Sequence, residues 1–252
     1  MKLTVIGSGG SIMSKSRSYP AYLVNDEILL DCGEGTTQKL LQLEVIDGIK
    51  LICLTHLHND HFMGLFSLLW YYWLNGSKES ITILGPPNTK KTVEKIMKLT
   101  HTPSDMGDFG IEYIELENTN EIQESNRVCQ IKARKMEHSP LSFGYRVEDG
   151  DSALTYSGDT APNQGLIDLA GESDVLICES TFPDDLQTKA HTYNHSTPSD
   201  AAEIAQKSHV KKLVLVHISA VFEDLIPKMK QAAAEKFQGE ILIAKDLITE
   251  RF

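Results

Sequence analysis

A chain of 252 residues with 41% hydrophobic and 23% charged positions has the length and apolar content for one sizeable core. Its formal net charge of −11 argues against a surface that coats nucleic acid by charge alone. No stretch is apolar over the roughly 20 residues a membrane helix needs. Met1 to Gly7 reads as a strand entering a glycine turn rather than as a signal peptide, so a cytoplasmic protein is expected.

The predicted elements alternate along the whole chain. Strand-like runs occupy 3–6, 28–31, 51–54, 81–84, 111–116, 128–133, 143–147, 153–156, 175–178, 213–216 and 240–243. Helical patterns occupy 37–43, 60–74, 89–99, 163–169, 199–207 and 220–237; the last two space apolar residues by three and four, so each should bury one stripe. With no low-complexity tract or Pro/Ser-rich linker, residues 1–252 are expected to form one α/β domain whose sheets carry helices on their outer faces. Cys32, Cys53, Cys129 and Cys178 are widely spaced and mostly in predicted strands, the pattern of reduced, buried thiols. In the helix at 60–74, Trp70, Tyr71, Tyr72 and Trp73 cannot all face one core. The helix is therefore either buried on two sides or part of a subunit contact.

Chemistry concentrates after the third strand, in Thr55-His56-Leu57-His58-Asn59-Asp60-His61. The end of a strand is where open α/β sheets place ligand sites. His56 and His58 alternate with Leu57, so both rings can face one side while Leu57 faces the core. Asp60 and His61 follow a turn later and can converge from a second direction, which supplies enough donors to begin two metal sites. Further donors stand at the ends of other strands: His138, Asp159 beside Gly158, and His217. The glycine is expected to permit close approach of backbone and metal. His101 and His209 lie in helix-end or loop contexts and read as surface residues, and His191 as structural or peripheral.

The motif His-x-His-x-Asp-His at His56, His58, Asp60 and His61, followed in order by His138, Asp159 and His217, resembles the metallo-β-lactamase superfamily. The resemblance covers essentially the whole chain and implies a four-layer αββα sandwich with a dinuclear site between the sheets. It implies that His56, His58 and His138 hold one metal, that Asp60, His61 and His217 hold the other, and that Asp159 bridges both. Imidazole and carboxylate donors suit zinc, with manganese or iron as alternatives.

Within the superfamily the chain is most similar to the ribonuclease Z group. Asp31-Cys32-Gly33-Glu34-Gly35-Thr36, Ser157-Gly158-Asp159-Thr160 and His195-Ser196-Thr197 resemble its segments, and Glu179 resembles the glutamate of its His-Glu-Ala-Thr element. Lys15 and Arg17 resemble a basic loop that the group places near the RNA end, although Met13 and Ser18 replace its flanking proline and asparagine. The resemblance also implies a homodimer. One departure matters more: the long tRNA-gripping arm of the group has no counterpart. The interval from His138 to Asp159 has room for only two strands and a turn.

These residues predict a dinuclear metal-dependent hydrolase, a phosphodiesterase of ribonuclease Z type that uses a metal-bridging water. Asp60 would take the proton of that water. His195 would serve the leaving group as general acid, with Glu179 as its carboxylate partner. His195 precedes Thr197-Pro198-Ser199-Asp200, which reads as an N-cap, an N1 proline and an acidic first turn, a natural anion-binding spot. The absent arm counts against folded tRNA and leaves a small cyclic phosphodiester, a lactone or a thioester as the alternative substrate. A metal-binding or carrier protein without turnover is the third reading.

Overall fold

The structure, a computed structural model, describes residues 1–103, 108–117, 122–125 and 129–252. Two seven-stranded sheets dominate it. The first runs in the order β14 (Thr249–Arg251), β1 (Lys2–Gly7), β2 (Ala21–Val24), β3 (Ile28–Leu30), β4 (Leu51–Cys53), β5 (Ile81–Gly85), β6 (Ile111–Glu115). The second runs β13 (Glu240–Ile243), β12 (Lys212–Val216), β11 (Val175–Glu179), β10 (Ser152–Tyr156), β9 (Ser142–Asp149), β8 (Gln130–Met136), β7 (Ile122–Ser125).

The alternation of strand side chains builds three cores from these two sheets. In β4, Leu51 and Cys53 face the opposite sheet, whereas Ile52 and Leu54 face outwards. In β12, Val214 and Val216 face inwards and Leu213 and Leu215 outwards. The outer face of the first sheet is covered by α1 (Thr36–Gln42), α3 (Gly64–Leu74) and α4 (Thr89–Leu99) through Leu40, Leu65, Leu68, Val93 and Met97. The second is covered by α5 (Gln164–Ala170), α7 (Pro198–Lys207) and α8 (Ile226–Lys236) through Leu166, Leu169, Ala201, Ala205 and Ala233. The result is the α/β/β/α sandwich expected from the sequence.

Several elements differ from expectation. Strand β2 is buried at all four residues and shows no period-two signal, and β14 spans only three residues; neither is legible as a strand. Strand β7 and helix α6 (Gln187–Thr192) were also not expected; α6 buries only Ala190 and so carries no apolar stripe. The expected helix at 60–74 divides at Met63 into α2 (Asn59–Phe62) and α3. The expected helix at 220–237 opens as a 3-10 turn over Ala220–Leu225. It becomes α8 near Pro227, which lacks the N–H an earlier helical bond would need. Val128, the first residue of the strand expected at 128–133, lies outside the described residues.

Helix α3 is buried on one side only. Tyr72 enters the core and donates its hydroxyl to the Ile46 carbonyl at 2.7 Å, whereas Trp70 is 42% exposed. All four cysteines are free and buried. No helix among the described residues is long and apolar enough to cross a membrane.

Candidate metal centre

The site lies along the edge where strands of both sheets end. Strands β3 and β4 run parallel, as do β10, β11 and β12. Asp31 follows β3, the His56–His61 loop follows β4, His138 follows β8, Asp159 follows β10 and His217 follows β12, while Glu179 closes β11. Three bonds clamp the sheets together at this edge. Phe143 N–H donates to the Thr55 carbonyl at 3.0 Å, the Tyr145 hydroxyl to the Leu54 carbonyl at 2.7 Å, and the Tyr156 hydroxyl to Asp31 Oδ2 at 2.8 Å.

Two groups of donors could each hold a metal ion: His56, His58, His138 and Asp159, and Asp60, His61 and His217. In the first, His56 Nε2 and His58 Nδ1 are 3.0 Å apart, and His138 Nε2 is 3.4 Å from the same His58 nitrogen. In the second, His61 Nε2 and His217 Nε2 are 3.3 Å apart, and Asp60 Oδ2 lies 3.6 Å and 3.4 Å from them. Asp159 stands between the groups, with Oδ1 near His61 and His217 and Oδ2 3.8 Å from His56 Nε2. A third group, Asp159, His195 and His217, overlaps the second. Leu57 packs against the outer core while His56 is fully buried, as the alternation of the loop requires.

The surrounding bonds decide which ring nitrogens carry lone pairs. Thr55 Oγ1 donates to Asp31 Oδ2 at 2.9 Å, so it can only accept from His56 Nδ1. Thr181 Oγ1 donates to Glu179 Oε2 at 2.6 Å and therefore accepts from His217 Nδ1 at 2.7 Å. His138 Nδ1 donates to the Asn194 carbonyl at 3.1 Å, and His61 Nδ1 to Asp31 Oδ2 at 2.7 Å. Each of these four rings thus points Nε2 at the cluster. Lone pairs and carboxylate oxygens facing one another at hydrogen-bond distance repel unless a cation lies among them.

The ionisation tendencies point the same way. Burial pushes His56, His58 and His138 downwards, towards the neutral imidazole that a metal binds. Burial also opposes a charge on His61, but Asp159 and Asp31 overcome it and draw a proton there, a demand for positive charge that a divalent ion would meet. Asp159 Oδ1 is buried without a hydrogen-bond partner. The donor set therefore fits a pair of divalent ions.

Beside the cluster, His195 Nδ1 donates to Glu179 Oε1 at 2.9 Å. Burial alone would push the His195 imidazole down, but the charge and hydrogen bond of Glu179 hold it up at about 9. Local structure aims this ring. Helix α6 ends in a Schellman turn, with Asn194 in the left-handed region (φ 56), Asn194 N–H bonded to the His191 carbonyl and His195 N–H to the Ala190 carbonyl. Thr197 and Asp200 then form the capping box that starts α7 on Pro198. His191 Nε2 joins Asp200 Oδ2 at 2.9 Å and ties α6 to that cap, a structural role. His101 and His209 are exposed, left-handed residues beyond helix ends, away from the donor groups.

Three points correct or extend the reading of the sequence. Gly158 (φ 58) makes room for Thr55, whose Cβ would lie 2.9 Å from an added Cβ; the glycine lets two donor-bearing loops meet rather than backbone meet metal. Arg17 is 5% exposed and turned inwards, with Nη1 donating to Ser8 Oγ at 2.8 Å and to the Ala244 carbonyl at 2.6 Å, so only Lys15 of the basic loop faces solvent. Asp31 went unassigned as a site residue, yet its buried carboxylate orients His61, Thr55 and Tyr156 together. A lone aspartate before Cys32-Gly33 carries no spacing signal that would reveal this.

Fold and site together define a metal-dependent hydrolase, and the Beta-lactamase superfamily domain matches residues 26–218. A protein named Ribonuclease Z from Saccharolobus solfataricus is 32% identical over 92% of this chain and 93% of its own length. One from Haloferax volcanii is 27% identical over 98% and 93%. Human tRNase Z, short form, superposes with a TM-score of 0.83 at 29% identity, covering 100% of this chain and 99% of that one. The metallo-β-lactamase fold protein YhfI from Bacillus subtilis, at 23% identity and a TM-score of 0.84, shares the fold. The chain belongs to the ribonuclease Z family of this superfamily. The alignments with the two archaeal relatives run over 278 and 300 positions, longer than the 252 residues here, so those proteins carry insertions that this chain lacks.

Proposed function

We propose that this metal-dependent phosphodiesterase cleaves RNA at a single-stranded 3′ extension, and that residues 1–252 work as one hydrolase domain. The observation that carries the reading is the pair of half-buried His195 and buried Glu179 beside the donor cluster, a preformed proton donor of the kind an ester leaving group requires. The names of the relatives, Ribonuclease Z and tRNase Z, support RNA as the substrate class.

In this reading His56, His58 and His138 would hold one ion and Asp60, His61 and His217 the other, with Asp159 shared between the two groups; zinc would suit the donors best. Such ions lower the pKa of a bound water and neutralise charge on a phosphoryl oxygen. Burial opposes a charge on Asp60, but the neighbouring His217 and His61 keep it ionised, so it can accept a proton from an attacking water. As the phosphorus–oxygen bond to the leaving group breaks, His195 delivers its Nε2 proton to the departing oxygen. Glu179 keeps Nδ1–H in place during that transfer.

The inserted residues of the relatives favour a second reading, in which the substrate is a small cyclic phosphodiester, lactone or thioester. We further propose a cytoplasmic homodimer; the four free cysteines and the exposed Trp70 and Leu74 of α3 support this assignment. Incubating the zinc-loaded protein with a 3′-extended precursor tRNA alongside a 2′,3′-cyclic nucleotide separates the two substrates. Endonucleolytic removal of the extension is expected; hydrolysis of the cyclic nucleotide alone would overturn the RNA reading.

A further inference from the structure

Phe182 is the meeting point of three rings at the mouth of the site. Its centroid lies 6.0 Å from His195, 5.9 Å from Phe222 and 6.4 Å from Tyr193, the last ring tilted by only 11°. Tyr193 is 59% exposed, and Val221, beside Phe222, is 64% exposed. Lys189 holds its ammonium 5.7 Å from the centre of the Phe182 ring. A bond from Ala220 N–H to the Ile12 carbonyl at 3.0 Å brings exposed Ile12 to the same rim.

These rings are carried by the elements that aim His195. Phe182 lies three residues beyond Glu179 on the end of β11, and Tyr193 caps the C-terminus of α6 within the Schellman turn. A paired, solvent-facing aromatic surface with one cation beside it matches a planar base on an anionic backbone better than it matches an aliphatic chain. Charge offers less help here: the chain is acidic overall and Arg17 is turned inwards. Base stacking is tolerant of sequence and supplies grip where phosphate contacts are few.

We propose that Tyr193 and Phe182 form a stacking shelf for the nucleobase on the leaving-group side of the scissile phosphate, with Lys189 beside that nucleotide's backbone. The side follows from the ring contact of Phe182 with His195, the residue that faces the leaving oxygen. Substrate binding and alignment of His195 are then one event, because a base on Tyr193 presses on the turn that carries His195. This inference rests on the RNA reading above.

The test uses a short single-stranded RNA with 2-aminopurine at the leaving-side nucleotide, bound to zinc-loaded wild type and to Tyr193→Ala, Tyr193→Leu and Tyr193→Trp. Stacking should quench the fluorescence in wild type and in Tyr193→Trp, and the quench should vanish in Tyr193→Ala and Tyr193→Leu. Tyr193→Ala should raise Kd about 5- to 150-fold, and an abasic RNA should bind wild type as weakly as the intact RNA binds that variant. A quench that persists in Tyr193→Ala, or equal weakening of intact and abasic RNA, would overturn the shelf. Turnover of the same RNA is followed in parallel. Quenching without turnover sinks the RNA-cleavage reading and leaves the shelf standing; turnover without quenching sinks the shelf alone.

Discussion

Glu179 Oε1 accepts from His195 Nδ1 at 2.9 Å and from Thr160 N–H at 2.7 Å, while Oε2 accepts from Thr181 Oγ1 and Ser196 N–H. The carboxylate thus touches His195 and, through Thr181, His217. It acts through both rings. His195→Ala should lower kcat for phosphodiester hydrolysis by about 10²–10⁴ with metal content retained, as measured by elemental analysis beside steady-state kinetics. Loss of metal in that variant would reassign His195 as a ligand.

Glu179→Gln keeps the shape and removes the charge. Glu179 raises the pKa of His195, and a general acid loses activity as pH rises through its pKa. Removing the charge should therefore move the alkaline limb of the pH–kcat profile to lower pH. An unmoved limb, with only a uniform drop in kcat, would show that Glu179 merely supports the fold.

Asp31→Asn places an amide where four donors from Thr55, His61 and Tyr156 converge on a buried carboxylate. An amide oxygen can satisfy some of them, but its NH₂ must face another donor. Metal affinity should fall about 10- to 100-fold, read by competition with a chelator. Thermal unfolding should also shift down, since an unmatched buried polar group costs about 1–3 kcal/mol.

Gly158→Ala meets two obstacles, a left-handed backbone and a Thr55 side chain 2.9 Å from the new Cβ. The backbone cost alone is about 1–2 kcal/mol. Because Thr55 precedes His56 and Gly158 precedes Asp159, the strain should appear twice. Tm should fall, and zinc affinity should fall with it. A lower Tm with full affinity would show that the loops relax without moving their donors.

Arg17 and Lys15 separate structure from binding. Arg17→Ala takes the guanidinium away from the Ala244 carbonyl and from Glu223, which keeps Ser14 Oγ, and should cost about 1–3 kcal/mol, or roughly 2–4 °C in Tm for each kcal/mol. It should leave the salt dependence of RNA binding unchanged. Lys15→Ala should instead leave Tm in place and reduce the salt slope by about one.

The sequence was sufficient for what depends on local order. Alternating apolar residues in β4 and β12 split between inner and outer cores, as period two demands. Thr197, Pro198 and Asp200 declare the start of α7 by their own hydrogen-bonding chemistry. The clustering of His56, His58, Asp60 and His61 announces a metal site because so many imidazole and carboxylate donors rarely serve a loop. Other features are tertiary. Arg17 turned inwards because Ser8 and the sequence-distant Ala244 and Glu223 form a polar pocket there. Asp31 became the hub of the site because β3, β4 and β10 end at one edge, and α6 formed without an apolar stripe because its Schellman turn and the His191–Asp200 bond hold it against α7. Residue type and spacing thus determined which donors this protein offers. Which nitrogen of each ring faces the centre was decided only by the partners that folding brought to the other nitrogen.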